Sequence, residues 1–493
     1  MRLSQLNSDY HGSFDPEIEG LTEDSRRIEE GWLFAAFAGV KTDGARYVED
    51  AIRQGAVAIL SSQENTGTTA HPQVAFLKAD NPRQELARMA ARFYGIQPQS
   101  IVAVTGTNGK TSTAWFAQQI WTSMGIRAAS LGTLGLRGVD MAALRNGKMA
   151  SMTTPDTVSL MANLADLAAA GVQHLAMEAS SHGLAQYRLD GVKLKAAAFT
   201  NLTRDHLDYH HDMDDYFAAK ARLFNEVLPD DGVAVINADI SQASALREIA
   251  ARRRIAVIDY GYQAEVLKVL ERRAAAEGQA LKLSVYGKVH ELVIPLVGEF
   301  MMMNALAALG LVIATDESLT DKAVAALAEL QGAPGRLQLV MGHPLGAVYV
   351  DYAHTPDALE NILKALRPHA EGRLVSIVGC GGDRDPGKRP IMGRIAAELS
   401  DLAIITDDNP RSEDPAKIRA AMMRGAVGAK EIGGRREAID WAVKQLSQGD
   451  VLVIAGKGHE QGQIMADRVE PFDDVQEAAR AIKEFLKDRE TGK

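Results

Sequence analysis

Residues 101–113 read Ile-Val-Ala-Val-Thr-Gly-Thr-Asn-Gly-Lys-Thr-Ser-Thr, and no other stretch constrains the fold as strongly. The β-branched run at 101–104 predicts a buried parallel strand. It gives way to Gly106 and Gly109, and a helical pattern begins at Lys110. Glycines permit a tight turn that aims several N–H groups at one point, where the helix N-terminus adds partial positive charge. Lys110 supplies a mobile cation for β- and γ-phosphates, and the Thr111 hydroxyl suits Mg²⁺. Gly106, Thr107, Asn108, Gly109, Lys110, Thr111 and Ser112 are therefore expected to cradle ATP.

A chain of 493 residues is too long for one core, and two to four domains are expected. The formal net charge of −10 argues against a nucleic-acid surface. A single cysteine, Cys380, excludes an intrachain disulfide and fits a reducing compartment. The N-terminus lacks the layout of a signal peptide, and the richest apolar stretch, 161–179, is broken by Asn163, Asp166, Gln173, His174 and Glu178. These features predict a soluble cytoplasmic protein with no nucleic-acid partner and no transmembrane segment; a monomer with small-molecule substrates is the expectation, although the features above do not themselves give the oligomeric state.

Alternating apolar runs and helical patterns predict an α/β protein of three domains, at 1–97, 98–332 and 333–493. The first has apolar runs at 33–37, 56–60 and 74–77 and a helix over 86–94. The second opens with the glycine loop, whose helix should bury Ala114, Ala117, Trp121 and Met124. Thr154-Pro155 reads as a helix N-cap with proline at N1, and 175–177 as a strand ending at Glu178. A glycine/proline hinge at 331–336 precedes the third domain. Its apolar runs at 347–351, 374–378, 402–406 and 451–454 predict a doubly wound, Rossmann-like sheet. The polar tail after Lys487 is expected to fray.

Several clusters carry chemistry. Glu178, at a strand end beside a phosphate loop, is either a Mg²⁺ ligand or a solvated glutamate. His206, His210 and His211 have zinc-like content, but such loop histidines are more often hydrogen-bonded, and neither cysteine nor His-x₃-His spacing supports zinc. Lys220 lies on a helix and on position alone is a surface lysine. Met301, Met302 and Met303 read most simply as helix core.

The short form Thr-Gly-Thr-Asn-Gly-Lys-Thr resembles the Mur ligase and folylpolyglutamate synthetase superfamily. Glu178-Ala-Ser-Ser-His-Gly-Leu and Asn201-Leu-Thr-Arg-Asp-His-Leu-Asp208 are similar to Mur ligase signatures. So are Gly298-Glu-Phe-Met-Met-Met-Asn304, Pro334-Gly-Arg336, Asp351-Tyr-Ala-His and Gly379-Cys-Gly-Gly-Asp-Arg384. The resemblance spans nearly the whole chain, with motifs in the family's order, although Met301 stands where the family has asparagine.

The resemblance implies an ATP-dependent ligase of peptidoglycan precursor synthesis that works through an acyl phosphate. It implies a uridine-binding N-terminal domain, a central ATP-binding domain of P-loop type and a C-terminal domain for the added amino acid. Lys110, Glu178, His206, Lys220 and Arg336 would be catalytic. Asn304, Arg336 and Asp351 would join the ATP site. Thr111, Glu178, His206 and Lys220 would hold Mg²⁺, with Lys220 carrying a CO₂ adduct as a carbamate. Glu23, Ser25, Val40, Lys41, Thr42, Thr153, Thr154, Ser180, Gln186 and Arg188 would bind a UDP-MurNAc-dipeptide. In family members that add the third peptide residue, Asp-Asn-Pro-Arg accompanies meso-diaminopimelate. Arg384, Asp408, Asn409, Pro410, Arg411, Gly456 and Glu460 would form that pocket. A guanidinium matches a carboxylate bidentately, and diaminopimelate has a distal carboxylate that lysine lacks.

Overall fold

The computed structural model describes residues 1–37, 43–62, 71–140, 153–206, 209–275, 278–340 and 343–491. Val40, Lys41 and Thr42, expected at the uridine end, and Asp208 of the histidine-rich motif lie outside the described residues. The chain forms two compact units, Met1–Lys268 with Leu306–Ala326, and Val269–Ala305 with Leu327–Lys493.

The first unit holds two sheets. Strands β1 (Gly20–Thr22), β2 (Trp32–Ala36), β3 (Ala58–Ser61) and β4 (Ala75–Lys78) lie parallel in sequential order. The larger sheet contains β5 (Ser100–Thr105), β6 (Ala128–Gly132), β7 (Gly135–Arg137), β8 (His174–Glu178), β9 (Leu194–Phe199), β10 (Val233–Asn237), β11 (Ala256–Gly261) and the start of β12 (Leu267–Ala275). Their order is β12-β11-β10-β9-β5-β8-β6-β7. The ladders within this set are parallel apart from β7, which runs antiparallel to β6. Register places Glu178 beside Val104 and Phe199 beside Thr105, so the chain leaves β5, β8 and β9 at one edge. In open α/β sheets that C-terminal edge is where ligands bind.

One continuous apolar cluster runs from Leu3, Leu21 and Leu33 through Ile101, Leu175 and Phe199. The N-terminal and central segments are thus fused through a shared core. Ala114, Ala117 and Trp121 of the helix Lys110–Ser123 are buried as predicted, while Met124 is only half-buried at its C-cap.

In the second unit, β13 (Gly278–Val285) and β14 (Lys288–Ile294) form an antiparallel hairpin. A doubly wound sheet follows, built from β15 (Gln338–Val340), β16 (Gly346–Asp351), β17 (Leu374–Val378), β18 (Leu402–Ile405), β19 (Lys430–Glu431) and β20 (Asp450–Ala455). The order is β15-β16-β20-β17-β18-β19, with only β15 antiparallel. Val348, Val350, Val375, Ile377, Ile404, Leu452 and Ile454 supply its core. Behind it, the fully buried Arg435 meets fully buried Asp474 through Nε···Oδ1 and Nη2···Oδ2 contacts, each 2.7 Å. Nη2 also donates to the Ala455 carbonyl at 3.0 Å, so one guanidinium joins two helices and β20.

Two expectations are corrected. The helix after Pro155 is Thr157–Ala169, capped by Asp156, whose side chain accepts the Ser159 N–H. Thr154 does not cap it, because its Oγ1 already accepts from the Ser180 N–H and hydroxyl, both at 3.1 Å, while donating to the Glu178 carbonyl at 3.0 Å. The tail after Lys487, expected to fray, continues the helix Asp474–Thr491, which is anchored upstream by buried Ala478, Ala481 and Ile482.

Removing one partner of a buried ion pair strands the other charge. Arg435→Met is therefore expected to destabilise the protein by about 3–5 kcal/mol, read from urea unfolding. A loss below about 1 kcal/mol would contradict the assigned role.

Candidate functional site

The glycine loop occupies the edge predicted for it. Gly106 sits at φ 146°, and a Cβ there would lie 1.9 Å from Thr200 Oγ1, so no other residue fits. The segment after β9 grips the loop from outside. Thr107 N–H donates to the Asn201 carbonyl (2.9 Å), Asn108 N–H donates to Asn201 Oδ1 (2.9 Å), and Thr200 Oγ1 donates to the Asn108 carbonyl (2.6 Å). Gly109 serves as the left-handed N-cap of the helix Lys110–Ser123, with Thr111 and Ser112 buried in its first turn.

Two ammonium groups converge here. Lys110 Nζ donates to the carbonyls of Gly106 (2.9 Å) and Thr107 (2.8 Å). Lys220, from the helix Met213–Arg222, is buried rather than on the surface, and its Nζ reaches the same Gly106 carbonyl at 2.7 Å. Its ammonium also lies 4.5 Å from the centre of the Tyr216 ring. Burial, followed by the like charge of Lys110, holds the Lys220 pKa well below the ordinary lysine range. Tyr216, which sequence reasoning overlooked, contacts Thr107 Oγ1 at 3.3 Å, and burial raises its phenol to about 12.

Glu178 is buried and accepts the Thr133 N–H (2.7 Å) at Oε1 and the Thr133 hydroxyl (3.1 Å) at Oε2. Among the described residues it forms no ion pair. A buried carboxylate served only by neutral donors fits a divalent cation as one oxygen ligand of the kind Mg²⁺ takes, while among the described residues no group of three His, Cys, Asp or Glu side chains is assembled to hold a metal. His206 is exposed, with φ 53°, and its ring packs 5.0 Å from that of His182. His210 is buried, with Nδ1 3.3 Å from Asp215 Oδ2. The histidine-rich segment therefore forms an aromatic cluster with His182, Tyr209 and Tyr216.

The substrate-facing set expected beside Glu178 is joined by hydrogen bonds. Thr153 and Thr133 hydroxyls lie 3.0 Å apart. Thr154 Oγ1 accepts from Ser180 N–H and Ser180 Oγ, both at 3.1 Å, while Ser180 Oγ caps the next turn by accepting the Gly183 N–H. Arg188 donates to the Thr154 carbonyl (2.6 Å) and Gln186 Oε1 (2.7 Å), and Gln186 Nε2 donates to Tyr209 Oη (3.3 Å). Behind them, buried Arg222 pairs with Asp190 through its two terminal guanidinium nitrogens, Nη1 and Nη2.

In the N-terminal segment, Ser25 begins a short 3₁₀ turn capped by Asp24. Glu23 has its carboxyl pushed up by desolvation and by Asp156, against the opposing pull of Arg83 and Arg188. Arg83, unassigned from sequence, lies over the Phe37 ring at 4.0 Å. Charges from both segments of the first unit thus meet at one place.

The second unit carries the remaining residues. Asp351 is buried, and its two oxygens accept N–H groups of Leu337 and Ala353, each at 2.7 Å. Burial raises this carboxyl, while Arg336 and the two amides act against the shift. Arg336 lies 4.5 Å over the Tyr352 ring. Asn304 is buried in the helix Glu299–Thr315 beside Met301 and Met302, which are core as expected.

Asp408, Asn409 and Pro410 are buried and lead to Arg411, which adopts φ 52°. Arg411 Nη1 donates to the Gly382 carbonyl at 2.8 Å. A Cβ on Gly382 would fall 1.9 Å from the Pro410 carbonyl, so this part of the glycine run exists to admit the Asn-Pro-Arg turn. Gly456 approaches Asp408, and Asn409 Nδ2 donates to Glu460 Oε2 at 2.7 Å. Arg384 is exposed and donates to the carbonyl of its neighbour Asp383 at 3.4 Å, while the Asp383 carboxylate accepts from Ser412 beside Arg411. Lys457, fully buried and bonded to Asn409 and Glu460, was missed: a lysine between two glycines gives no sign of burial.

Comparison with known proteins gives a consistent picture. Residues 17–94 match the Mur ligase family, catalytic domain, residues 104–312 the Mur ligase middle domain and residues 335–458 the Mur ligase, glutamate ligase domain. The chain is 50% identical over 471 residues to UDP-N-acetylmuramoyl-L-alanyl-D-glutamate–2,6-diaminopimelate ligase of Caulobacter vibrioides, covering 95% of this chain and 96% of that protein. It is 49% identical over 468 residues to the protein of that name in a Chelativorans species, covering 95% of each. A solved structure of a ligase of the same name superposes with a TM-score of 0.73 at 33% identity, covering 98% of this chain and 99% of that one.

The depressed Lys220 pKa has a consequence for stability. Between its folded value and about 10.5 the unfolded chain binds the extra proton, so this group's contribution to stability rises with pH across that window. Urea unfolding at stepped pH is expected to show that rise in the wild type and to lack that increment in Lys220→Met. Parallel pH profiles for the two proteins would refute it.

Proposed function

The chain belongs to the Mur ligase family, and on that premise we propose that it joins meso-diaminopimelate to UDP-MurNAc-L-Ala-D-Glu in peptidoglycan precursor synthesis. The γ-phosphoryl group of ATP passes to the γ-carboxylate of the D-glutamyl residue, giving an acyl phosphate and ADP. An amine of diaminopimelate adds to the acyl carbon, and the tetrahedral adduct expels phosphate to leave an amide. Near-full-length identity to the diaminopimelate-adding ligases is the observation that carries this reading.

Each residue set has a physical task in it. Main-chain N–H groups at the start of the helix, 109–112, and the Lys110 ammonium take up phosphate charge, while the Thr107 and Asn108 N–H groups are bonded to Asn201 and fix the loop. Arg336, held in its turn by Asp351, offers a second cation. Asn304 serves the adenine side. Glu178, Thr111, His206 and Lys220 as a carbamate would hold Mg²⁺, which when bound shields the phosphates and polarises the transferring group. The carbamate is supported by the amine's surroundings. The half-buried Lys110 ammonium and the buried Lys220 share one carbonyl, and a depressed pKa favours the neutral amine that adds CO₂.

Ser25, Glu23, Val40, Lys41 and Thr42 would take the uridine end. Thr153, Thr154, Ser180, Gln186 and Arg188 would take the muramoyl peptide. Arg384, Asp408, Asn409, Pro410, Arg411, Gly456 and Glu460 would recognise diaminopimelate, with the Arg411 fork matched to its distal carboxylate. A nucleotide-linked sugar and ATP as substrates fit a cytoplasmic enzyme, and the reading takes it as a monomer. Among the described residues no helix is long and apolar enough to cross a membrane.

Phosphate release with UDP-MurNAc-L-Ala-D-Glu is expected to depend on diaminopimelate, with lysine a poor replacement. Turnover indifferent to both amino acids would overturn the ligase reading. For the carbamate, ¹³C-bicarbonate should give a protein-bound carbonyl signal that strengthens as pH rises and is absent from Lys220→Ala. An identical signal in the variant would place the adduct elsewhere.

A further inference from the structure

We propose that Lys457 is the positioning residue of the amino-acid pocket: it locks the Asn409 amide and one oxygen of Glu460, leaving the other oxygen for the ammonium group of the incoming diamino acid. The proposal rests on the ligase reading above and adds to it a residue that the sequence motifs left without a role.

The geometry is that of a saturated cation. Lys457 is fully buried, and its Nζ has three acceptors: Asn409 Oδ1 at 2.8 Å, Glu460 Oε2 at 3.2 Å and the Gly462 carbonyl at 2.6 Å. An ammonium has three N–H donors, so each is used. A buried charge is costly unless paired and hydrogen-bonded, and this one meets both conditions.

Its bonds decide how its neighbours face. Asn409 Oδ1 receives Lys457 and also the Ile464 N–H at 2.9 Å, which fixes the amide so that Nδ2 donates to Glu460 Oε2 at 2.7 Å. Glu460 Oε2 thereby receives both side chains. Its Oε1 accepts no hydrogen bond among the described residues, and the side chain is 32% exposed. The main chain holds the same arrangement, because Glu460 N–H closes a turn on the Lys457 carbonyl and Arg411 N–H bonds the Ile464 carbonyl.

The result is a carboxylate with one oxygen committed and one oxygen available, tied through Ile464 to the turn that bears the Arg411 guanidinium. A distal centre carrying both an ammonium and a carboxylate complements that pair of charges. Without Lys457, Asn409 and Glu460 could rotate, and the available oxygen would lose its fixed direction.

Lys457→Met keeps the side-chain length and removes all three donors. The KM for meso-diaminopimelate is expected to rise roughly tenfold or more, as for lost hydrogen bonds to a charged group. The KM values for ATP and UDP-MurNAc-L-Ala-D-Glu should stay within about twofold, since a change confined to this pocket leaves other binding energies in place. Should Lys457→Met fail to fold, Lys457→Gln takes its place with the same readouts. An unchanged KM for diaminopimelate, or equal rises in all three KM values, would overturn the positioning role. A wild-type enzyme inactive with diaminopimelate would instead overturn the ligase reading, and the proposal with it.

Discussion

The Gly106 carbonyl is the point on which the central site depends. Its direction follows from a backbone angle that only glycine adopts freely and from a neighbour, Thr200, that excludes any side chain. Because that oxygen accepts from both Lys110 and Lys220, the loop, the helix it starts and the helix Met213–Arg222 are coupled through one atom. The segment after β9 completes the clamp through Thr200 and Asn201. A shift of the loop would therefore move both lysines together.

Sheet register explains why these parts meet. β5 lies between β8 and β9, and the strands end within one residue of one another in the ladders. Glu178, the glycine loop and the Thr200–Asn201 clamp consequently leave the sheet at the same edge, although they are scattered over about 100 positions in sequence. The second unit repeats the principle with β16, β20 and β17, whose C-terminal ends lead to Asp351, Gly456 and Gly379.

What could be read from sequence was what local chemistry determines. The strand–glycine–helix order at 101–113 and the apolar runs of the C-terminal sheet needed only periodicity and turn chemistry. The choice between Thr154 and Asp156 as helix cap needed tertiary information. Both are good caps, and the Ser180 N–H and hydroxyl, which follow β8, take Thr154 out of competition by donating to its Oγ1. The packing of the histidine-rich segment was hidden for a related reason, because its partners His182 and Tyr216 come from other helices and make it a packed aromatic cluster. Lys457 was invisible since its acceptor Asn409 lies 48 residues away.

The two buried lysines make the same physical point from opposite sides. Lys457 has an acceptor for each N–H and a carboxylate among them, so its charge is stabilised where it stands. Lys220 has one carbonyl, a ring face and the like charge of Lys110, and its neutral form gains accordingly. Burial alone does not decide what a lysine can do; the count and sign of its partners do. A saturated ammonium can only orient its neighbours. On the proposed reading an under-coordinated one gives up its proton and adds CO₂, and the anion formed there would turn a repulsive pair of cations beside the glycine loop into an attractive pair.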